Sequence, residues 1–127
     1  MNPIIEEYFA AIEVKLLQSP IIVTYQIVRR DIAPADGKLR VKAVLGDGGI
    51  AELFEYVSES DGEIQLLKYS FHWQDGQGNL RKRWDNAPHY PHLPHAPHHM
   101  HQEDGTVQDV SEVPSIVSII QAIEDAV

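Results

Sequence analysis

Six polar side chains on two consecutive predicted strands have types and spacing that could hold and cleave a phosphodiester. They alternate with apolar residues and are Lys68, Ser70, His72, Arg81, Arg83 and Asp85. Arginine presents planar donors that match phosphate oxygens, and a histidine with a pKa of about 6.5 can share acid–base work with a carboxylate. The ordinary alternative is the solvated outer face of a hairpin, where cross-strand ion pairs contribute little.

The parity of the apolar residues predicts how these two strands pair. If DGQG forms a four-residue loop, Trp73 lies opposite Leu80 on the apolar face. The predicted polar pairs are then His72 with Arg81, Ser70 with Arg83 and Lys68 with Asp85. This register turns Arg83 and Asp85 toward solvent, so we expect the protein to stay folded when both are replaced by alanine.

The segment APHYPHLPHAPHHMH, which follows the last predicted strand, repeats Pro-His and is a low-complexity loop by composition. His99 and His101 stand two residues apart, so in extended backbone they point to the same side and could bind one metal ion. Asp85, His89 or His72 could complete such a site. Histidine and carboxylate ligands without thiolate suit Zn, Mn or Ni. Adventitious metal binding is the commoner behaviour of a histidine-rich loop.

The apolar periodicity predicts the sheet that must position these residues. Between Val23 and Trp84, apolar side chains recur with a period of two in five runs, separated by short turns rich in Gly and Asp. Helical spacing predicts one helix before Pro20 and another near the C-terminus, with Ser111 as its N-cap. The predicted fold class is α+β: a five-stranded antiparallel meander sheet, an N-terminal and a C-terminal helix, and a Pro/His-rich loop after the last strand.

Length and composition limit what such a fold can do. The 127 residues fit a single domain, 1–127. Ten Lys and Arg against 19 Asp and Glu give a formal charge of -9, so any contact with nucleic acid must be local. The chain contains no cysteine, which excludes thiolate chemistry and disulfides. It has no P-loop, GxGxxG, nucleophile elbow or HExxH motif. Without a signal peptide or membrane span, we expect a cytoplasmic protein.

The string YSFHWQDGQGNLRKRWDNAPHYPHLPHAPHHMH, residues 69–101, resembles the small bacterial proteins of the TumE family of toxins from toxin–antitoxin modules. The resemblance is carried by a strand that ends in His-Trp before an acidic turn, by the run RWDNAPH, and by the closing PHHMH. The other helices and strands agree with the family in order and length. The resemblance implies a cognate antitoxin as partner, often with a helix-turn-helix, and singles out His72, Arg83, Asp85, His89, His98, His99 and His101.

Two hypotheses about function follow. In the first, the protein is a toxin that acts on RNA and resembles a ribonuclease. Its residues would be His72, Arg83, Asp85 and His89 for catalysis, Lys68, Arg81 and Asn86 for substrate binding, and His98, His99 and His101 for a divalent metal. In the second, the protein is a non-catalytic binding module whose His-rich loop binds a partner or a metal. Neither hypothesis fixes the oligomeric state.

Overall fold

Seven antiparallel strands form one sheet in which each strand pairs with the next one along the chain. The computed structural model describes all 127 residues. Its elements are α1 (Pro3–Gln18), β1 (Ile22–Ile32), β2 (Asp36–Leu45), β3 (Ile50–Ser60), β4 (Glu63–Gln74), β5 (Leu80–Asp85), β6 (His99–Gln102), β7 (Val107–Asp109) and α2 (Ile116–Ala126). The predicted α+β meander with a helix at each end is confirmed.

The predicted number of five strands is wrong, because β6 and β7 extend the sheet beyond β5. A turn at Gly105, with a positive φ of 87°, returns the chain from β6 to β7. The two strands contain only 4 and 3 residues. Their sequences are polar and rich in histidine, so they lack the apolar alternation by which the other strands are recognised.

Helix α1 covers one face of the sheet. The side chain of its N-cap, Asn2, accepts hydrogen bonds from the N–H groups of Ile4 and Ile5 at 3.1 and 3.0 Å. Its buried residues are Ile5, Phe9, Ile12 and Leu16. The helix lies so close to β2 that a Cβ atom on Gly37 would come within 2.9 Å of the Ile5 side chain. The glycine at this position therefore permits the close packing of α1 on the sheet.

Helix α2 packs beside α1 on the same face of the sheet. It begins after Ser115, which forms a capping box with Ser118, and not at the predicted Ser111 cap. Its buried residues are Ile116, Ile119, Ile120 and Ile123. Val127 lies beyond the end of the helix and is 63% exposed. Neither helix has the length and apolar character needed to cross a membrane.

The carboxylate of Glu55 on β3 joins both helices to the sheet. Glu55 is 0% exposed, and it accepts a hydrogen bond from the hydroxyl of Tyr8 on α1 and, at 2.7 Å, from the backbone N–H of Ile116 on α2. Burial raises the pKa of Glu55 above its usual value, and the two hydrogen bonds oppose that rise. A single buried carboxylate thus holds α1 and the N-terminus of α2.

We expect Tyr8→Phe to lower the free energy of unfolding by about 1–3 kcal/mol, because it removes a donor from a buried carboxylate. Urea unfolding followed by circular dichroism measures this loss. Tyr25→Phe is the matched control, since Tyr25 also packs against the core but donates no side-chain hydrogen bond to a buried group. Equal stability losses in the two variants would contradict the role given to Glu55.

Candidate functional site

The sheet face opposite the helices, here called the open face, carries two rows of polar side chains that run across the strands. Cα partners in successive strands define each row, because paired residues share a face. One row is Arg40, Phe54, Ser70, Asp85, His99 and Asp109. The other row is Lys42, Glu52, His72, Arg83, His101 and Val107. Most of the residues predicted to act in catalysis, substrate binding or metal binding therefore lie on one side of the molecule.

The pairing of β4 with β5 differs from the predicted register by two residues. Asp85 lies opposite Ser70 and Arg83 lies opposite His72, whereas Lys68 and Ser70 were the predicted partners. The connection between β4 and β5 contains five residues, and a bulge at Arg81 adds one more. Because the total shift is even, Ser70, His72, Arg83 and Asp85 keep the predicted face although their partners change.

Arg83 is the centre of a hydrogen-bond network on the open face. Its guanidinium donates to Ser70 Oγ at 2.9 Å, to His72 Nδ1 at 3.4 Å and to Asp85 Oδ2 at 3.3 Å. Arginine is always a donor, so His72 Nδ1 is the acceptor and its Nε2–H donates to Gln74 Oε1 at 3.1 Å. This arrangement holds His72 as the neutral Nε2–H tautomer.

A groove on the open face, here called the cationic groove, has a volume of about 550 Å³. Its lining residues are Arg40, Glu52, Phe54, Lys68, Ser70, His72, Gln74 and Arg83. Three cationic side chains therefore face a single carboxylate. The guanidinium of Arg40 lies 4.6 Å from the centre of the Phe54 ring, which holds that charge flat against the sheet. The groove has the donor types and charge needed to bind a phosphate group.

Asp85 occupies a buried position beside this groove and does not face solvent as predicted. It is 8% exposed, and its Oδ1 accepts a hydrogen bond from the N–H of Ala87 at 3.0 Å. The Nε2 atoms of His99 and His101 lie 3.0 Å from Oδ1 and 3.7 Å from Oδ2, respectively. The extra strand β6 brings both rings to Asp85. We call these three residues the Asp85 cluster.

The two histidine rings of the Asp85 cluster are held by different surroundings. His99 is 1% exposed, and its Nδ1–H donates to the carbonyl of Pro97 at 2.9 Å, which directs Nε2 at Asp85. His101 is half-buried, and burial lowers its pKa despite the opposing effect of Asp85. The ring of Tyr90 covers the cluster, with its centre 4.7 Å from that of His99.

His98 points away from the Asp85 cluster. Its Nδ1 lies 2.9 Å from the hydroxyl of Tyr69, a core residue on the helix side of the sheet. Burial lowers the pKa of His98, and burial together with Asp85 raises the pKa of Tyr69. The structure therefore does not place His98 with His99 and His101, with which it was predicted to bind metal, because successive residues of extended backbone point in opposite directions.

Arg81 and Asn86, predicted to bind substrate, lie outside the cationic groove. The guanidinium of Arg81 stacks 4.6 Å from the centre of the Trp73 ring and lies 3.8 Å from Glu103. The amide of Asn86 accepts from the N–H of Tyr69 and donates to the carbonyl of Leu67. Both side chains thus have structural partners, and Asn86 closes the end of the β4–β5 pairing. Lys68 is the one predicted substrate-binding residue that lines the groove.

The Pro/His-rich loop folds into successive turns and does not form an extended polyproline helix. Backbone hydrogen bonds from Leu93 to Tyr90, from Ala96 to Leu93 and from His98 to His95 define the turns. His95 ties the loop to β7, because its backbone N–H donates to Asp109 Oδ1 at 2.8 Å and its ring bonds the same carboxylate. His89 is exposed near His101. His89 does not line the cationic groove.

Sequence reasoning did not single out several residues of this site, namely Arg40, Glu52, Phe54 and Tyr90. The first three come from β2 and β3, at least 15 residues before the motif-bearing segment that begins at Tyr69. One signal could have found Arg40, because it alternates with the buried Leu39 and Val41 and therefore had to lie on the polar face. The position of Tyr90 depends on the turns of the loop.

We expect Asp85→Ala to lower the free energy of unfolding by about 1–3 kcal/mol, because it leaves the N–H of Ala87 without its acceptor and removes the carboxylate that the buried His99 ring contacts. Thermal and urea unfolding measure the change. Asp31→Ala is the matched control, since it removes an ion pair with Arg29 in which both side chains are mostly exposed. If Asp85→Ala were as stable as the wild type, the result would contradict the buried position of Asp85 and support the solvent-facing position predicted from the sequence.

Comparison with known proteins gives one family. The family model described as Toxin TumE matches residues 12–127, which include the cationic groove, the Asp85 cluster and nearly the whole chain. No curated protein and no solved structure matches the sequence. The extent of the match confirms the resemblance noted over residues 69–101. The chain therefore belongs to the TumE toxin family.

Proposed function

We propose that this protein is the toxin of a toxin–antitoxin pair and that it acts on RNA through the cationic groove. The observation that carries the proposal is the local charge of the groove. Arg40, Lys68 and Arg83 line the groove with one carboxylate, Glu52, and Arg83 also pairs with Asp85 beside the groove, on a protein whose formal charge is -9. A surface of positive charge on an acidic protein indicates a polyanionic ligand. No helix covers this side of the sheet.

The geometry of the groove gives each side chain a separate task in this proposal. Arg40 and Lys68 would hold backbone phosphates, since neither forms an ion pair with a carboxylate. The guanidinium of Arg83 is fixed by Ser70, His72 and Asp85, so it would stabilise the charge that develops on a phosphorus centre without first having to be ordered.

Proton transfer in the groove would fall to His72. Its Nδ1 accepts from Arg83 and its Nε2–H donates to Gln74, so His72 must first release Arg83 and take up a second proton at Nδ1. The imidazolium could then give its Nε2 proton to a substrate oxygen that replaces Gln74. Asp85 would position Arg83, because its carboxylate is buried and engaged with His99. His89 would act only if the loop brought it to the groove.

In cells, we expect induced expression of the wild-type protein to arrest growth, with loss of intact RNA, and Arg83→Ala to relieve both effects. Arg30→Ala is the matched control, since Arg30 is exposed on β1 and pairs with Leu39 on the helix side of the sheet. Immunoblots would verify equal amounts of the three proteins. If Arg83→Ala arrested growth as strongly as the wild type, the cationic groove would not be the toxic site.

For the purified protein, we expect Lys68→Gln to weaken binding to single-stranded RNA and to reduce the slope of log K against log salt by about 0.7, the value for one lost phosphate contact. Fluorescence anisotropy across a salt series measures the slope. Arg30→Gln should leave the slope unchanged, because it removes the same charge far from the groove.

Absence of RNA binding by the wild type would contradict action on RNA, and it would favour the second hypothesis, a non-catalytic binding module. Membership of the TumE family implies an antitoxin partner. If the protein is such a binding module, Arg40, Lys68 and Arg83 would bind an acidic segment of the antitoxin. Growth arrest without loss of RNA would support the binding module and contradict action on RNA.

A further inference from the structure

We propose that Asp85, His99 and His101 bind one divalent transition-metal ion, with zinc as the best match. The site lies next to the cationic groove but uses none of its lining residues. The proposal therefore stands independently of any action on RNA. The sequence offered two ligand sets around His99 and His101; this proposal keeps the set completed by Asp85 and leaves out His98.

The distances within the cluster suit a single ion. One ligand atom from each residue lies within 4.8 Å of the other two. Tetrahedral coordination with bonds of about 2.0–2.1 Å places ligand atoms about 3.3–3.4 Å apart. The two measured separations from histidine Nε2 to carboxylate oxygen are 3.0 and 3.7 Å, on either side of that spacing. Only small side-chain movements are needed to coordinate the ion.

The hydrogen bonds around His99 prepare it as a ligand. Its Nδ1–H is committed to the carbonyl of Pro97, so in the neutral ring Nε2 carries the lone pair. That lone pair points at a carboxylate, which is also an acceptor, and a cation must lie between them. A bond from Nδ1–H to a backbone carbonyl is the arrangement that orients metal-binding histidines in general.

The ring of His101 favours a metal ion over a proton as the cation between the histidines and Asp85. A proton on His99 would satisfy its contact with Asp85, but His101 also directs Nε2 at the same carboxylate. The two rings are 4.9 Å apart between centres, so two imidazolium ions would repel each other at this distance. One divalent ion satisfies both lone pairs and the carboxylate together.

The position of the Asp85 cluster in the fold favours specific binding of a metal ion over adventitious binding. Adjacent strands supply the ligands, since Asp85 pairs with His99 across β5 and β6, and His101 follows two residues later. Tyr90 covers the rings and shields them from solvent. Three protein ligands leave one position for water, as in catalytic zinc sites, and two histidines with one carboxylate are a common zinc set.

The test uses the tag-free, full-length protein after dialysis against a chelator, with Zn²⁺ alone as the probe. We expect isothermal titration calorimetry to give one Zn²⁺ per chain with submicromolar affinity, and Zn²⁺ to raise the melting temperature. His101→Gln and Asp85→Asn should each weaken binding by 100-fold or more. His92→Gln should bind as the wild type does, because His92 is an exposed loop residue outside the cluster.

Circular dichroism of each variant without metal separates loss of ligand from loss of fold. His101→Gln is the decisive variant, since this side chain is partly exposed and its replacement leaves the contact between Asp85 and His99 in place. In the wild type, Co²⁺ should give the absorption of tetrahedral coordination, and His101→Gln should lose it. Failure of the wild type to bind Zn²⁺ would overturn the proposal, as would equal losses in His92→Gln and His101→Gln.

Discussion

The buried carboxylate of Asp85 is the constraint on which the arrangement of the candidate site depends. A carboxylate at this exposure must be surrounded by donors or cations, since burying it alone would be costly. Its partners come from β5, from the start of the Pro/His-rich loop and from β6: Arg83, Ala87, His99 and His101. One side chain thereby ties the added strand to the sheet and holds Arg83 beside the groove.

A second buried carboxylate performs the same task on the opposite face. Glu55 accepts from α1 and from the N-terminus of α2, so the helix layer is fixed by one residue of β3. Polar anchors of this kind specify one arrangement where apolar packing alone would permit several. Because the helices are held on one side, the other side of the sheet stays free for the two polar rows.

Periodicity predicted the parts of the fold that rest on apolar burial, and it failed where polar contacts decide the structure. The stripe from Ile5 to Leu16 and the alternating runs of β2 to β5 follow from the need to cover one core. The strand at His99 is formed by pairing with β5 and by the contacts of Asp85, neither of which has a hydrophobic pattern. The bulge at Arg81 has no sequence pattern either, yet together with the five-residue connection it moved the partners of Arg83 and Asp85 by two residues.

The separation of charge by the sheet explains how an acidic protein could still attract RNA to one side. Residues 102–127 contain six acids and no Lys or Arg. Two of these acids, Glu124 and Asp125, lie on α2, which packs behind the sheet, whereas Asp109 lies at the edge of the open face. Packed layers are about 10 Å apart, and the screening length at physiological salt is about 8 Å. Much of the repulsion from α2 is therefore screened before it reaches the open face, where Arg40, Lys68 and Arg83 line the groove with Glu52. Rising salt would weaken this local attraction as well, so a polyanion would bind only when it enters the groove.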